Sequence, residues 1–165
     1  MNNKVIFAAA RNGKTYDICK QAIELSQNTI KDILIISYTN EGKNSIEKEY
    51  KKQNCGIIDK NVVMKTWYSF VLSDFIKPYQ CKLNLTYKNY KQEINCNIPP
   101  NLINSIAFYT NEKPNRVFNG GHVQYYLNSR YDLFKDNVSA LAFKCVNDSN
   151  GAVIKRLEEI YSCSR

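Results

Sequence analysis

The sequence predicts an α/β domain built on a mainly parallel sheet, with an irregular or helical insertion, and three observations predict it. Two near-continuous apolar runs, NKVIFAA at 3–9 and DILIISY at 32–38, read as strands, the first short and buried and the second buried on both faces of such a sheet. Each is followed closely by a helical pattern, the alternation from which right-handed parallel crossovers are built. A Gly13-Lys14-Thr15 triplet stands at the junction of the first run and the first helix, where a phosphate-binding loop would lie.

In order along the chain, residues 14–27 predict a helix with Ile18, Ala22 and Leu25 on one face. After the strand at 32–38, Thr39-Asn40 caps a polar helix over 41–53, rich in Glu and Lys. Val62-Val63-Met64-Lys65 reads as a third strand, and it runs into an apolar helix over 67–77 that stops at Pro78. The pattern then loosens. Residues 80–121 carry Pro99-Pro100, Pro114 and Gly120-Gly121 without a sustained period, which predicts an insertion or irregular subdomain with short strands at 82–87 and 105–109. Helices resume over 122–134, 137–146 and 150–161, the last amphipathic through Val153, Ile154, Leu157 and Ile160. The 165 residues are read as one domain, 1–165, the size at which a single core suffices.

Net charge bounds the partners. An excess of 23 basic over 15 acidic side chains, formally +8, favours polyanions and nucleic acid first, through phosphate contacts and counterion release. No run of 18 apolar residues appears, which predicts no membrane span. Only six apolar residues follow Met1-Asn2-Asn3-Lys4, too few for a signal-peptide core, so the expected location is the cytoplasm. The six cysteines form no C-x-x-C pair and have one histidine, His122, to assist them, which argues against a metal site. They are expected to be reduced thiols, most packed as small hydrophobes. His122, after Gly120-Gly121, is expected to begin a helix at the surface.

The stretch VIFAAARNGKTYDI, residues 5–18, is a phosphate loop with two departures: Ala8 stands at the first glycine position and Arg11 lies inside the loop. Such a loop works because successive backbone N–H groups and a helix dipole converge on one concavity. The residues that would form it are Ala8, Ala9, Ala10, Arg11, Asn12, Gly13, Lys14, Thr15 and Tyr16. Lys14 would reach the β- and γ-phosphates and the Thr15 hydroxyl would hold Mg²⁺, making ATP with Mg²⁺ the expected cofactors. A positive φ at Arg11 would cost about 1–2 kcal/mol. An ordinary strand-to-helix turn is the alternative.

Three segments in order resemble the first RecA-like, ATP-binding subdomain of UvrD/Rep-type superfamily 1 DNA helicases. AAARNGKT resembles that family's A-x-x-G-x-G-K-T loop, which accounts for Ala8 and leaves Arg11 as the departure. ILIISYTNEGKNSIEKEY (33–50) is similar to its strand-[TS]-[FY]-T-N-helix motif, and VVMKTWYSFVLSDFI (62–76) to its T-[FW]-[HY]-S-F segment. The resemblance implies a three-layer P-loop NTPase fold, with Ser37, Tyr38, Thr39, Asn40, Thr66, Trp67, Tyr68 and Ser69 along a path for single-stranded DNA. Aromatic side chains beside basic ones suit that ligand independently, because bases stack on rings while the backbone follows positive charge. The alternatives are core filling for Trp67 and Tyr68 and helix capping for Thr39 and Asn40.

The family's next element, an apolar strand ending in D-E-x-x, has no counterpart. Glu158-Glu159 lies in a charged amphipathic helix and reads as a solvated face, and the chain closes on RLEEIYSCSR where that strand is expected to begin. The expectation is therefore a subdomain truncated before its acidic pair, inactive as a motor alone, with the missing helicase domains or another protein as possible partners. Two other readings stand beside it: a non-catalytic interaction protein with a remnant loop, and a small P-loop nucleoside or nucleotide kinase. The kinase would need clustered arginines, whereas Arg116, Arg130 and Arg156 are dispersed.

Overall fold

Helix α1 (Lys14–Ser26) opens the structure, a computed structural model that describes residues 13–89, 92–97, 109–110, 113–114, 117–128 and 132–161. The expected first strand at 3–9 and most of the strand at 105–109 lie outside these residues. The chain divides into two compact units, residues 1–67 with 156–165, and residues 68–155.

In the first unit β1 (Ile33–Ser37) and β2 (Val62–Thr66) pair in parallel, from Ile33 opposite Val62 to Ser37 opposite Thr66. Parallel neighbours cannot be joined by a tight turn, and the crossover is α2 (Asn40–Gln53). Thr39 caps it as expected, its Oγ1 accepting the Gly42 N–H at 3.0 Å. Strand alternation puts Ile33, Ile35, Val62 and Met64 on one face. Cys19 and Ala22 of α1 and Tyr50 of α2 pack into the same core cluster. A third strand contact borders β1, where Tyr161 forms a parallel bridge with Asp32 and the Asp32 N–H donates to Ile160 O at 3.0 Å.

Two details of this unit correct the sequence reading. Ile18 is not on the buried face of α1; it is 43% exposed, whereas Ala22 and Leu25 pack inward as expected, beside a stripe of Cys19, Ala22, Ile23 and Ser26. That stripe keeps the i, i+3, i+4, i+7 spacing, but it ends on a serine that turns in to meet a carboxylate. β1 is not buried on both faces, since Ile36 is 40% exposed; α1 and α2 pack on the Ile33/Ile35 face.

The carboxylate is Asp59, in the connection between α2 and β2. Its Oδ2 accepts from Ser26 Oγ at 2.9 Å, from the Tyr50 hydroxyl at 2.5 Å and from Asn54 Nδ2 at 3.2 Å. Tyr50 is fully buried, so its hydroxyl needs an acceptor; an unpaired one would cost about 1–3 kcal/mol. Asn61 Nδ2 adds a second tie, donating to Ser26 O at 3.2 Å and Thr29 O at 3.0 Å.

The helical stretch after β2 begins as α3 (Trp67–Phe70), which enters the second unit at Tyr68, and widens over Val71–Ile76 into a π-helix, with the Lys77 N–H donating to Leu72 O. The regular helix expected over 67–77 is therefore half π. Val71, Leu72 and Ile76 are buried there, and the segment packs against α5 (Val138–Asp148). The buried residues of α5, Val138, Leu141, Ala142 and Cys145, follow helical spacing. An antiparallel hairpin pairs β3 (Asn84–Asn89) with β4 (Gln92–Asn97); β4 had no sequence expectation.

The helix expected over 122–134 is a single turn, α4 (Val123–Tyr126). Asn128 and Asp132 bond to each other instead: the Asp132 N–H donates to Asn128 Oδ1 at 2.9 Å and the Asn128 N–H to Asp132 O at 3.0 Å, while residues 129–131 of the expected helix lie outside the described residues. An Asn side chain offering the backbone this alternative ends the helix. Leu133–Phe134 then forms β6, buried and parallel to β5 (Tyr109–Thr110). The last helix, α6, spans Ala152–Ile160; Val153 is buried as expected, whereas Ile154 is 42% exposed. Cys19 and Cys145 are buried and Cys55 and Cys81 exposed, these four as free thiols. Among the described residues no helix is long and apolar enough to cross a membrane.

Asp59→Ala is expected to cost about 1–3 kcal/mol by stranding the Tyr50 hydroxyl, read as a lower urea midpoint at unchanged slope; an unmoved midpoint would refute the role. The pH dependence follows. The hydrogen bonds from Tyr50 and Ser26 hold the Asp59 carboxyl below its ordinary value of 3.8. Its contribution is present above that value and is lost as pH falls through the depressed one. Burial, then the bond to Asp59, pushes the Tyr50 phenol from 10.0 up to about 12. Its contribution is complete below the lower value and is lost as pH rises toward the upper one. Urea midpoints against pH should therefore fall at both limbs, and Tyr50→Phe should flatten the alkaline one.

Candidate functional site

Gly13 has a left-handed backbone, φ 73°, and α1 starts at the next residue. Glycine takes that conformation without the steric cost an L side chain would bear. The Asp17 N–H donates to Gly13 O at 3.0 Å, closing the first turn. The N–H groups of that turn have no earlier carbonyl within the helix to bond, so they face outward at the positive end of the dipole. Lys14 and Tyr16 are exposed and Thr15 is half-buried. Ala8, Ala9, Ala10, Arg11 and Asn12 lie outside the described residues.

Beside this turn is an open pocket of about 390 Å³, lined by Gly13, Lys14, Thr15 and Tyr16 of α1 and by Ser45, Glu49 and Lys52 of α2. The α2 residues recur at i, i+4 and i+7, one stripe of the helix. Gln53 Nε2 donates to Tyr16 O at 3.2 Å and to Glu49 Oε1 at 2.8 Å, tying the two walls together. Burial first, and then the charge of Glu49, raises the Cys19 thiol pKa. Sequence reasoning missed Ser45, Glu49 and Lys52. Their spacing was the available signal, but a solvated helix face has the same polar pattern.

A second group forms at the carboxyl ends of the strands. Because Ser37 stands opposite Thr66, the chain leaves both strands at the same level. Tyr38 follows Ser37 and is 82% exposed; Trp67 follows Thr66 and is 41% exposed. Trp67 does not fill the core, whereas Phe70, three residues on, does. Thr39 and Asn40 are exposed at the start of α2. An added Cβ at Gly42 would lie 2.3 Å from Ser37 Oγ, so a larger residue there would require the Ser37 side chain to shift. The structure thus brings Ser37, Tyr38, Thr39 and Asn40 together with Thr66 and Trp67. Half-buried Tyr68 and exposed Ser69 belong to the second unit.

The two groups are distinct. Asn40 begins α2 and Glu49 lies nine residues on, about 13 Å along the axis at 1.5 Å per residue.

Among the described residues the first turn of α1 offers a metal ion the Thr15 hydroxyl and the Asp17 carboxylate. Among the described residues no group of three His, Cys, Asp or Glu side chains could hold an ion. That donor set fits an ion brought in on phosphate oxygens rather than one held by side chains. Glu158 and Glu159 are exposed on α6, as expected of a solvated face. His122 precedes α4, half-buried with its ring 5.7 Å from that of Phe118, and its Nδ1 has no hydrogen-bond partner among the described residues. No protein-family model, no curated protein and no solved structure matches the chain.

The contact at Gly42 is testable by a double-mutant cycle. Gly→Ala inside a helix gains about 1 kcal/mol where there is space. Gly42→Ala should gain clearly less than that, or lose stability, in the wild type, and should approach the full gain in a Ser37→Ala background. Equal effects in both backgrounds would show that Ser37 and Gly42 are not coupled.

Proposed function

We propose that this chain is a P-loop, RecA-like domain of UvrD/Rep helicase type that binds ATP with Mg²⁺ through the start of α1 and single-stranded DNA at the ends of β1 and β2. The observation that carries the reading is the pair of exposed aromatic residues, Tyr38 and Trp67, each of which directly follows one of the paired strand-end residues Ser37 and Thr66. Tyr38 is largely solvent-facing and Trp67 is partly so, and the exposed part of each ring is a surface on which a base could stack, an interaction of about 1–3 kcal/mol per base. Thr39 and Asn40, at the positive end of α2, suit a phosphate of the same strand. The left-handed Gly13 followed at once by Lys14 and Thr15 supports the nucleotide half, as does the strand–helix–strand order of unit one. The parallel bridge of Tyr161 to Asp32 is consistent with a further parallel strand beside β1.

Under this reading Lys14 neutralises phosphate charge and the helix start donates to phosphate oxygens. Mg²⁺, when bound with the nucleotide, screens the phosphates and is touched by Thr15. No carboxylate pair stands at a strand end among the described residues, so binding without appreciable hydrolysis is the expected behaviour.

Calorimetry with ATP·Mg²⁺ and fluorescence anisotropy with labelled oligo-dT test both halves. Binding is expected in the millimolar range for ATP and the micromolar range for oligo-dT. Lys14→Ala should weaken ATP at least tenfold and leave the melting temperature in place. Tyr38→Ala and Trp67→Ala should each weaken oligo-dT about 5- to 150-fold, the equivalent of one lost stack. Absence of both ligands from the wild type would end the proposal, and if Lys14→Ala altered nothing the loop would be a structural remnant.

A further inference from the structure

The pocket between α1 and α2 has the wrong chemistry for phosphates alone, and that mismatch is informative. Two of its side chains, Lys14 and Lys52, are cations, but Glu49 places a carboxylate in the same wall, and Ser45 and Tyr16 complete it. A carboxylate repels phosphate oxygens and accepts hydrogen bonds from hydroxyl and amino groups. Tyr16, 52% exposed, offers a ring face beside it. The volume of about 390 Å³ lies within the range of small-molecule sites. The wall is also held in position, since the Gln53 amide fixes both the Tyr16 carbonyl and the Glu49 carboxylate.

We infer that this pocket takes the nucleoside end of the bound nucleotide, with base and ribose lying between Tyr16 and the Ser45/Glu49/Lys52 stripe of α2 while the phosphates stay at Lys14 and Thr15. This rests on the nucleotide reading of the α1 start and adds to it the residues that read the sugar and base. The ring of Tyr16 stacks on the base. Glu49 accepts from a ribose hydroxyl or a base amino group, Ser45 donates or accepts, and Lys52 balances the carboxylate. Residues 45, 49 and 52 thereby make α2 a two-ended helix, with its first turn toward the strand ends and its later turns toward the nucleotide.

Binding of ATP·Mg²⁺ compared with tripolyphosphate·Mg²⁺, which has the phosphates and lacks the nucleoside, tests this on the full chain. The wild type should bind ATP at least tenfold more tightly than tripolyphosphate. Tyr16→Ala and Glu49→Gln should each reduce ATP affinity several-fold and leave tripolyphosphate affinity unchanged, with circular dichroism and melting temperature as controls of folding. Lys14→Ala should weaken both ligands together. Equal wild-type affinity for the two ligands, or variants at Tyr16 and Glu49 that weaken both equally, would overturn the nucleoside pocket while leaving the phosphate site standing. No binding of either ligand would instead overturn the nucleotide reading itself, and the pocket with it.

Discussion

One carboxylate holds the α1/α2/sheet unit together. Asp59 Oδ2 receives donors from the end of α1, the last turns of α2 and the connection that follows α2. Without an acceptor at that point Tyr50 could not bury its hydroxyl, and without Tyr50 the core would lose its largest fully buried side chain. Because α2 is the crossover of a parallel pair, its seating on the sheet and the pairing of β1 with β2 depend on each other. The hydrophobic contribution of Ile33, Ile35 and Val62 is larger in sum, but it is non-directional. The Asp59 bonds are directional, and they fix where each helix end comes to rest.

That arrangement determines what the unit presents to ligands. With α2 anchored through Tyr50, its first turn stands beside Ser37 at the strand ends and its later turns stand beside Tyr16. Tyr38, two residues before α2 begins, and the mixed-charge pocket beside its later turns therefore lie toward opposite ends of that helix. A nucleotide in the pocket and a single strand across Tyr38 and Trp67 would not compete for the same atoms. Any coupling between them would pass through α2 itself, as a shift of a rigid element.

Much of this frame is legible in the sequence, and the particular residues say why. The runs at 33–37 and 62–66 are short, apolar and β-branched, bounded by polar residues, so period and composition agree on strands. Thr39 is visible as a cap because the residues after it lose their apolar character together. The misses have local causes. Ile18 and Ile36 are apolar residues left on the surface, which composition cannot separate from buried ones. Ser26 and Asp59, 33 residues apart, look like ordinary surface polar residues until folding brings them together. The helix expected beyond Tyr126 fails because Asn128 and Asp132 bond to each other, and a single Asn–Asp pairing outweighs a weak helical pattern. The stripe at Ser45, Glu49 and Lys52 is indistinguishable in sequence from any solvated face; only the placement of Tyr16 beside it turns it into a wall.

Mapping both ligands on one spectrum tests the account most directly. In amide ¹⁵N–¹H correlation spectra of the full chain, ATP·Mg²⁺ should shift Gly13–Tyr16 and residues around Ser45, Glu49 and Lys52. Oligo-dT should shift Tyr38–Asn40 and Trp67, and each set should persist when the other ligand is present. Perturbations confined to residues 68–155, displacement of one ligand by the other, or no perturbation of either segment would contradict the two-ended role assigned to α2.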